Sequence, residues 1–276
     1  MPSKNTLDIY SDEGRTAVYS IDDLVRNGLP QGPCVITGLA DKWSAYRRWT
    51  REFFENKYGD IELTVSRSRS HVKKNISLRE YLGYMYSEQE DDPYYLKDWF
   101  FTEEYPEFIK DYELPRFFEC WSEQLPDSLK LNLRWFYIGP ANSMSSLHVD
   151  GMHTSAWNAV ISGRKRWLFY PPDQAPYMYE GKVNAFAPLQ DSYPLFEKAT
   201  PVVMVQHPGE VVYTPSRWWH QVLNEAPTVS VTGNFVNETN YRLVGEYFKK
   251  KNLGGELKIL EQMIEKNLGA AYIDQL

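Results

Sequence analysis

The 276-residue chain carries a formal charge of −7. That balance argues against a nucleic-acid binder, because phosphate contacts need clustered Lys and Arg. No apolar run approaches the roughly 20 residues that span a bilayer. The opening Met1-Pro2-Ser3-Lys4-Asn5 lacks the charged-then-apolar layout of a secretory signal, so a cytoplasmic protein with no membrane partner is expected. Cys34 and Cys120 are too few for a disulfide scaffold and read as small buried hydrophobes. An aromatic share of 15% points to wide rings filling a β-rich core or lining a pocket.

In chain order, Asp22-Asp23-Leu24-Val25 opens a helix that Gly28 and Pro30 end. Pro33-Cys34-Val35-Ile36-Thr37-Gly38 is a compact β-branched run and reads as a strand. Residues 49–58 read as a helix stopped by Gly59, and 61–65 as a second strand. Ser77 caps a helix over 78–85. The basic run Arg67 to Lys74 and the acidic run Glu88-Gln89-Glu90-Asp91-Asp92 read as solvated loops, with an acidic rim for a basic substrate as the alternative. Segment 94–124 is rich in aromatics and prolines without a period and reads as irregular, with short helices.

Strands dominate after that, over 131–139, 155–161, 165–170, 210–213, 221–223 and 228–235, separated by Pro and Gly turns. Successive strands without intervening helices make an antiparallel barrel or sandwich, a mainly β fold with flanking helices. Beyond Asn240, Leu257, Leu260, Ile264 and Leu268 recur at helical spacing. This closing helix either packs on its own barrel or forms a homodimer through Leu257, Leu260 and Ile264. One domain over 1–240 with a helical appendage over 241–276 is expected.

Five histidines are present, and two sit where chemistry is plausible. In Ser146-Leu147-His148-Val149-Asp150 the His and Asp are two apart, so on a strand both side chains leave one face. A carboxylate aimed into a barrel is costly to bury unless a cation pairs with it. His220, after Pro215-Ser216-Arg217-Trp218-Trp219, is the third candidate. Two His and one carboxylate form the triangular face of non-heme Fe(II) oxygenases. His-x-Asp alone is a weak signal that a surface strand with two polar residues or an Asp–His hydrogen-bonded pair also produces, and His220 alone could be a core histidine. His71 and His207 read as loop residues, and His153 as a turn residue near the substrate or exposed.

The text around the candidates is more specific. Thr154-Ser155-Ala156-Trp157-Asn158-Ala159 follows His148-Val149-Asp150, and Gly163-Arg164-Lys165-Arg166-Trp167-Leu168-Phe169-Tyr170-Pro171-Pro172 comes next. Pro208-Gly209-Glu210-Val211-Val212-Tyr213-Thr214-Pro215 and Trp218-Trp219-His220-Gln221-Val222-Leu223-Asn224 complete the order, with Tyr94-Tyr95-Leu96-Lys97-Asp98-Trp99 upstream. Over about residues 18–240 the chain resembles the jumonji-C, cupin-like 2-oxoglutarate oxygenases, nearest the small protein hydroxylases of lysyl hydroxylase type.

The resemblance implies a double-stranded β-helix in which His148, Asp150 and His220 bind Fe(II), with 2-oxoglutarate and O₂ as cosubstrates. It also implies Lys165 on the distal carboxylate of 2-oxoglutarate, with Thr232, Tyr95 and Ser145 as hydroxyl partners and Asn158 and Asn234 nearby. Arg164 and Arg166 alternate with Lys165 and should face the other way. The implied reaction is hydroxylation of a C–H bond, with a protein or peptide side chain, lysine first, as the expected substrate. N-methyl demethylation, a free amino acid or small-molecule substrate, and a catalytically silent cupin binding module are the alternatives. Segments 94–124 and 177–198 are expected to read the substrate.

Overall fold

Strand β7 (Ser155–Ser162) sends Trp157, Ala159 and Ile161 into the main apolar core, and Ala156 and Asn158 to its other face. This two-residue alternation lets one sheet wall a polar cleft while its back seals a hydrophobic core. The computed structural model describes residues 17–87 and 90–276; the readings made on Met1 to Asn5 and on Glu88-Gln89 lie outside them. Nine strands make the large sheet, in the order β1 (Val18–Ser20), β2 (Cys34–Thr37), β10 (Val211–Thr214), β7, β12 (Thr228–Phe235), β6 (Arg134–Gly139), β5 (Tyr94–Phe100), β3 (Glu62–Arg67) and β4 (Lys73–Ser77). A second sheet orders β11 (Trp219–Asn224), β8 (Lys165–Tyr170) and β9 (Val202–Gln206). Bridges at Met144–Leu223 and His148–His220 add the extended segment before β7 to the β11 edge. Neighbouring strands run antiparallel except β1 with β2, and the two sheets close as a jelly-roll barrel.

Val35 and Val212 of one sheet meet Trp167, Phe169 and Met204 of the other between the layers. Helices cover the back of the large sheet. Ser20 and Asp23 form a capping box that starts α1 (Ile21–Asn27). The short α2 (Ser44–Arg48) leads into α3 (Arg51–Tyr58), and Ser77 and Glu80 cap α4 (Leu78–Met85) in the same way. Phe54, Tyr81 and Leu82 from these helices join Phe136, Ile138 and Trp157 in one cluster. Cys34 and Cys120 are both free and buried. Among the described residues no helix is long and apolar enough to cross a membrane.

Two readings change, and a third that was left open is narrowed. Segment 94–100 is a strand, not irregular: aromatics sit on both of its faces, and a bulge between Leu96 and Trp99, with Asp98 at φ 60°, breaks its period of two. The basic and acidic runs are tied to each other rather than solvated separately. Arg67 pairs with Glu90, and Asp92 accepts from the backbone of Arg69 and Ser70 at 2.8 and 3.0 Å. Lastly, the closing stripe faces inward. Helix α6 (Gly254–Asn267) packs on α5 (Tyr241–Lys250), and Leu260 and Ile264 are 1% and 0% exposed in the chain's own core, with Leu257 packed against it. Of the two readings left open for this stripe, packing on the chain's own core is the one observed for Leu260 and Ile264.

Because Ile264 has no room to relax outward, Ile264→Ala should lower the unfolding free energy by about 2–5 kcal/mol. Urea unfolding would register this as a lower midpoint at an unchanged m value.

Candidate active site

Antiparallel pairing brings the two histidines together. His148 and His220 exchange backbone N–H···O bonds of 3.0 and 2.8 Å, and their ring centroids lie 4.2 Å apart. Asp150 stands immediately before the 3-10 turn Gly151–His153 and rejoins them, so that one ligand atom from each residue lies within 4.8 Å of the others.

The three side chains are in the states a metal needs. Nδ1 of His148 lies 2.7 Å from the Ser146 carbonyl, and Nδ1 of His220 lies 3.2 Å from that of Trp218. A carbonyl only accepts, so each Nδ1 carries a proton and each ring turns its Nε2 away from that carbonyl. Burial, reinforced by the nearby His148, holds the His220 imidazole well below its ordinary range and therefore neutral. Burial also raises the Asp150 carboxyl, against the opposing pull of His148 and a hydrogen bond from Asn234. One oxygen of Asp150, Oδ2, is sealed from solvent without a partner. Two imidazoles facing a partnerless carboxylate oxygen fit a divalent metal of the Fe(II) class.

The three side chains line one cleft together with Lys165, Tyr95 and Asn158. Lys165, 2% exposed, lies directly across from Asn224 in the β8–β11 register. Its ammonium donates to Asn224 Oδ1 at 2.9 Å and Tyr95 Oη at 3.2 Å, which uses two of its three protons. The Tyr95 and Tyr137 ring centroids lie 5.8 and 5.7 Å from Nζ. Among the described residues no carboxylate pairs with it, and burial alone pushes the ammonium down to about 7. Arg164 and Arg166 face away and both pair with Glu225, at 2.7 and 2.5 Å.

All nine residues expected at the site line this one cleft, but they do so differently. Ser145 Oγ accepts from Val222 N–H at 3.0 Å, which leaves its own proton for a ligand. Thr232 gives its proton to the Trp157 carbonyl at 2.6 Å and so meets the cleft as an acceptor. Asn158 presents a buried, partnerless Oδ1. Asn234 bonds Asp150 and donates to Thr154 Oγ1 at 2.7 Å, orienting the carboxylate. Asn224, Trp135, Tyr137 and Trp167 also shape the site and were not among the expected residues. The register that sets Asn224 opposite Lys165 has no local signature. None of residues 177–198 lines the cleft. Met178, Val183, Phe186 and Phe196 from that insert cover the outer face of the three-stranded sheet, and of 94–124 only Tyr95 reaches the cleft.

Residues 28–241 match the model of the family described as Cupin-like domain. The chain belongs to the cupin-like domain family. It is similar to Lysine-specific demethylase JMJ21 of Arabidopsis thaliana, 39% identical over 239 residues that cover 82% of this chain and 25% of that protein. It is also similar to the Bifunctional arginine demethylase and lysyl-hydroxylase psr-1 of Caenorhabditis briggsae, 34% identical over 243 residues (82% and 61%). A third relative is the 2-oxoglutarate and iron-dependent oxygenase JMJD4 of Gallus gallus, 32% identical over 258 residues (82% and 60%). The chain thus spans from 25% to 61% of the length of these relatives.

In this cupin-like domain Lys165 should lower stability near neutral pH. Its folded value of about 7 lies below the ordinary 10.5, so between those limits the unfolded chain binds more protons. Stability then rises with pH across that window and is lost as pH falls toward 7. Lys165→Met removes the penalty, so the variant should melt higher than the parent at pH 7, by a margin that shrinks toward pH 10. Thermal unfolding across that range checks the sign.

Proposed function

We propose that the chain is an Fe(II)- and 2-oxoglutarate-dependent oxygenase, with iron on His148, Asp150 and His220 and the distal carboxylate of 2-oxoglutarate on Lys165. The single observation that carries this reading is one cleft lined by a partnerless Asp150 oxygen and by a Lys165 ammonium without a counter-ion. When bound, iron and 2-oxoglutarate supply O₂ activation coupled to decarboxylation, leaving succinate and CO₂ and placing one oxygen atom in a substrate C–H bond. His148 and His220 would offer Nε2 to the metal while a backbone carbonyl holds each Nδ1–H, and Asp150 would supply the negative charge. Lys165 and the free protons of Tyr95 and Ser145 suit a carboxylate, which would restore the Lys165 ammonium toward its ordinary range. Trp167, Val222 and Ala156 wall the cleft against water.

The substrate is read as a basic side chain on a protein or peptide, lysine first. Trp135 and Tyr137 line the cleft, and the Tyr137 hydroxyl lies 3.4 Å from the exposed Asp98 carboxylate at the β5 bulge. Aromatic faces backed by a carboxylate suit a cation. The psr-1 relative is named for both arginine demethylation and lysyl hydroxylation. Removal of an N-methyl group starts from the same C–H oxidation, after which the carbinolamine loses formaldehyde.

Incubation with Fe(II), 2-oxoglutarate and lysyl peptides should yield succinate and peptides heavier by one oxygen. His148→Ala and Asp150→Ala should each cut turnover by roughly 10³-fold; retained turnover in both would refute the metal assignment. Asp98→Asn should raise the peptide KM about tenfold with kcat little changed. An unchanged KM would remove Asp98 from substrate binding.

A further inference from the structure

Two consecutive residues just after Asp150 have left-handed backbones, Met152 at φ 57° and His153 at φ 55°. Side chains other than glycine disfavour that region, so the turn persists only where its surroundings hold it. Thr154 closes the turn on itself, its N–H and its hydroxyl both bonded to the Gly151 carbonyl at 3.1 and 2.9 Å. Met152 lines an apolar pocket with Val244 and Phe248 of α5 and Leu260 and Met263 of α6. The His153 ring meets the Tyr247 ring of α5 edge-on, with centroids 5.0 Å apart and planes at 61°. The same imidazole is hydrogen-bonded to the Leu243 backbone one turn earlier on that helix.

We propose that α5 braces the metal site, with Tyr247 a positioning residue that acts through His153 on Asp150. This rests on the reading of His148, Asp150 and His220 as metal ligands. The direction of the Asp150 carboxylate follows the backbone that leaves it, and that backbone enters the strained turn within two residues. Freed from Tyr247, the turn relaxes toward right-handed conformations and carries Asp150 out of line with the two histidines. The histidines themselves are locked to each other by their backbone bridge and do not move with it. Tyr247 acts through its ring face, so its hydroxyl is dispensable. Both Tyr247 and His153 are half-buried; Tyr247 also packs against the main core, so His153→Asn is the variant that breaks the contact without touching that core.

Co(II) titration of the full chain, without cosubstrate or oxygen and followed by the visible absorption of the bound metal, tests the brace. Tyr247→Ala and His153→Asn should each weaken Co(II) binding about tenfold, as loss of a ligand-orienting contact does. The double variant should lose no more than either single one, and Tyr247→Phe should bind within about twofold of the parent. Hydrogen exchange should rise at residues 151–154 in both Tyr247→Ala and His153→Asn, while the melting temperature of metal-free His153→Asn stays close to the parent's. Parental affinity in Tyr247→Ala, additive losses in the double variant, or a Tyr247→Phe loss equal to that of Tyr247→Ala would overturn the brace. His148→Ala separates the two readings: it should abolish Co(II) binding, and retained binding there would overturn the metal site and the brace together.

Discussion

A carboxylate and an ammonium held in one barrel without opposite charges beside them are expensive, and much of the surrounding structure is arranged to keep them so. Asp150 has one oxygen with no partner, and Lys165 has only the neutral Asn224 and Tyr95. Each is fixed to a different strand neighbourhood. Lys165 is anchored on β8 across from Asn224, which is itself tied to Ser143 at 2.8 Å. Asp150 is anchored beyond the His148–His220 bridge and oriented by Asn234. Neutral hydrogen bonds satisfy geometry without cancelling charge, so both groups stay available to ligands of opposite sign. A fold can tolerate such a site only with stability from elsewhere. The aromatic cluster behind the large sheet, where Trp49, Phe54, Phe108 and Phe136 stack edge to face, is that reserve.

The same division of labour explains which faces do what. The large sheet turns its aromatic side outward to the helices and its polar side, with Asn158, Thr232 and Asn234, inward to the cleft. On β8 the alternation puts Lys165 and Trp167 inside and Arg166 outside, where Glu225 neutralises it. Insert 177–198 seals the outer face of the small sheet, while Trp135 and Tyr137 of β6 line the cleft. The C-terminal helices complete the picture from behind, since they share the main core and also touch the turn that follows Asp150.

Much of the barrel was legible in the sequence because strands such as 155–162 and 228–235 carry β-branched and aromatic residues between turns. Others were hidden for physical reasons. Strand β9 is apolar on both faces, β4 opens with Lys73-Lys74-Asn75, and the bulge at Asp98 interrupts β5. The candidate ligands could be named from neighbouring motif blocks, but neither the tautomers set by Ser146 and Trp218 nor the Lys165–Asn224 pairing has any local pattern. Helical spacing likewise identified the Leu260 and Ile264 stripe without saying which surface it meets, because a partner and the chain's own core favour the same side chains.

The central claim is that a metal at the triad and the Lys165 ammonium together hold one dicarboxylate. Anaerobic calorimetric titration of 2-oxoglutarate, with and without Mn(II) and in buffers of different ionisation enthalpy, tests it most directly. The account predicts that metal tightens 2-oxoglutarate binding at least about tenfold. It also predicts uptake of about one proton on binding at pH 8, because a group that ionises near 7 when free is recharged by the bound carboxylate. Equal affinity with and without metal, or binding with no proton uptake, would contradict it.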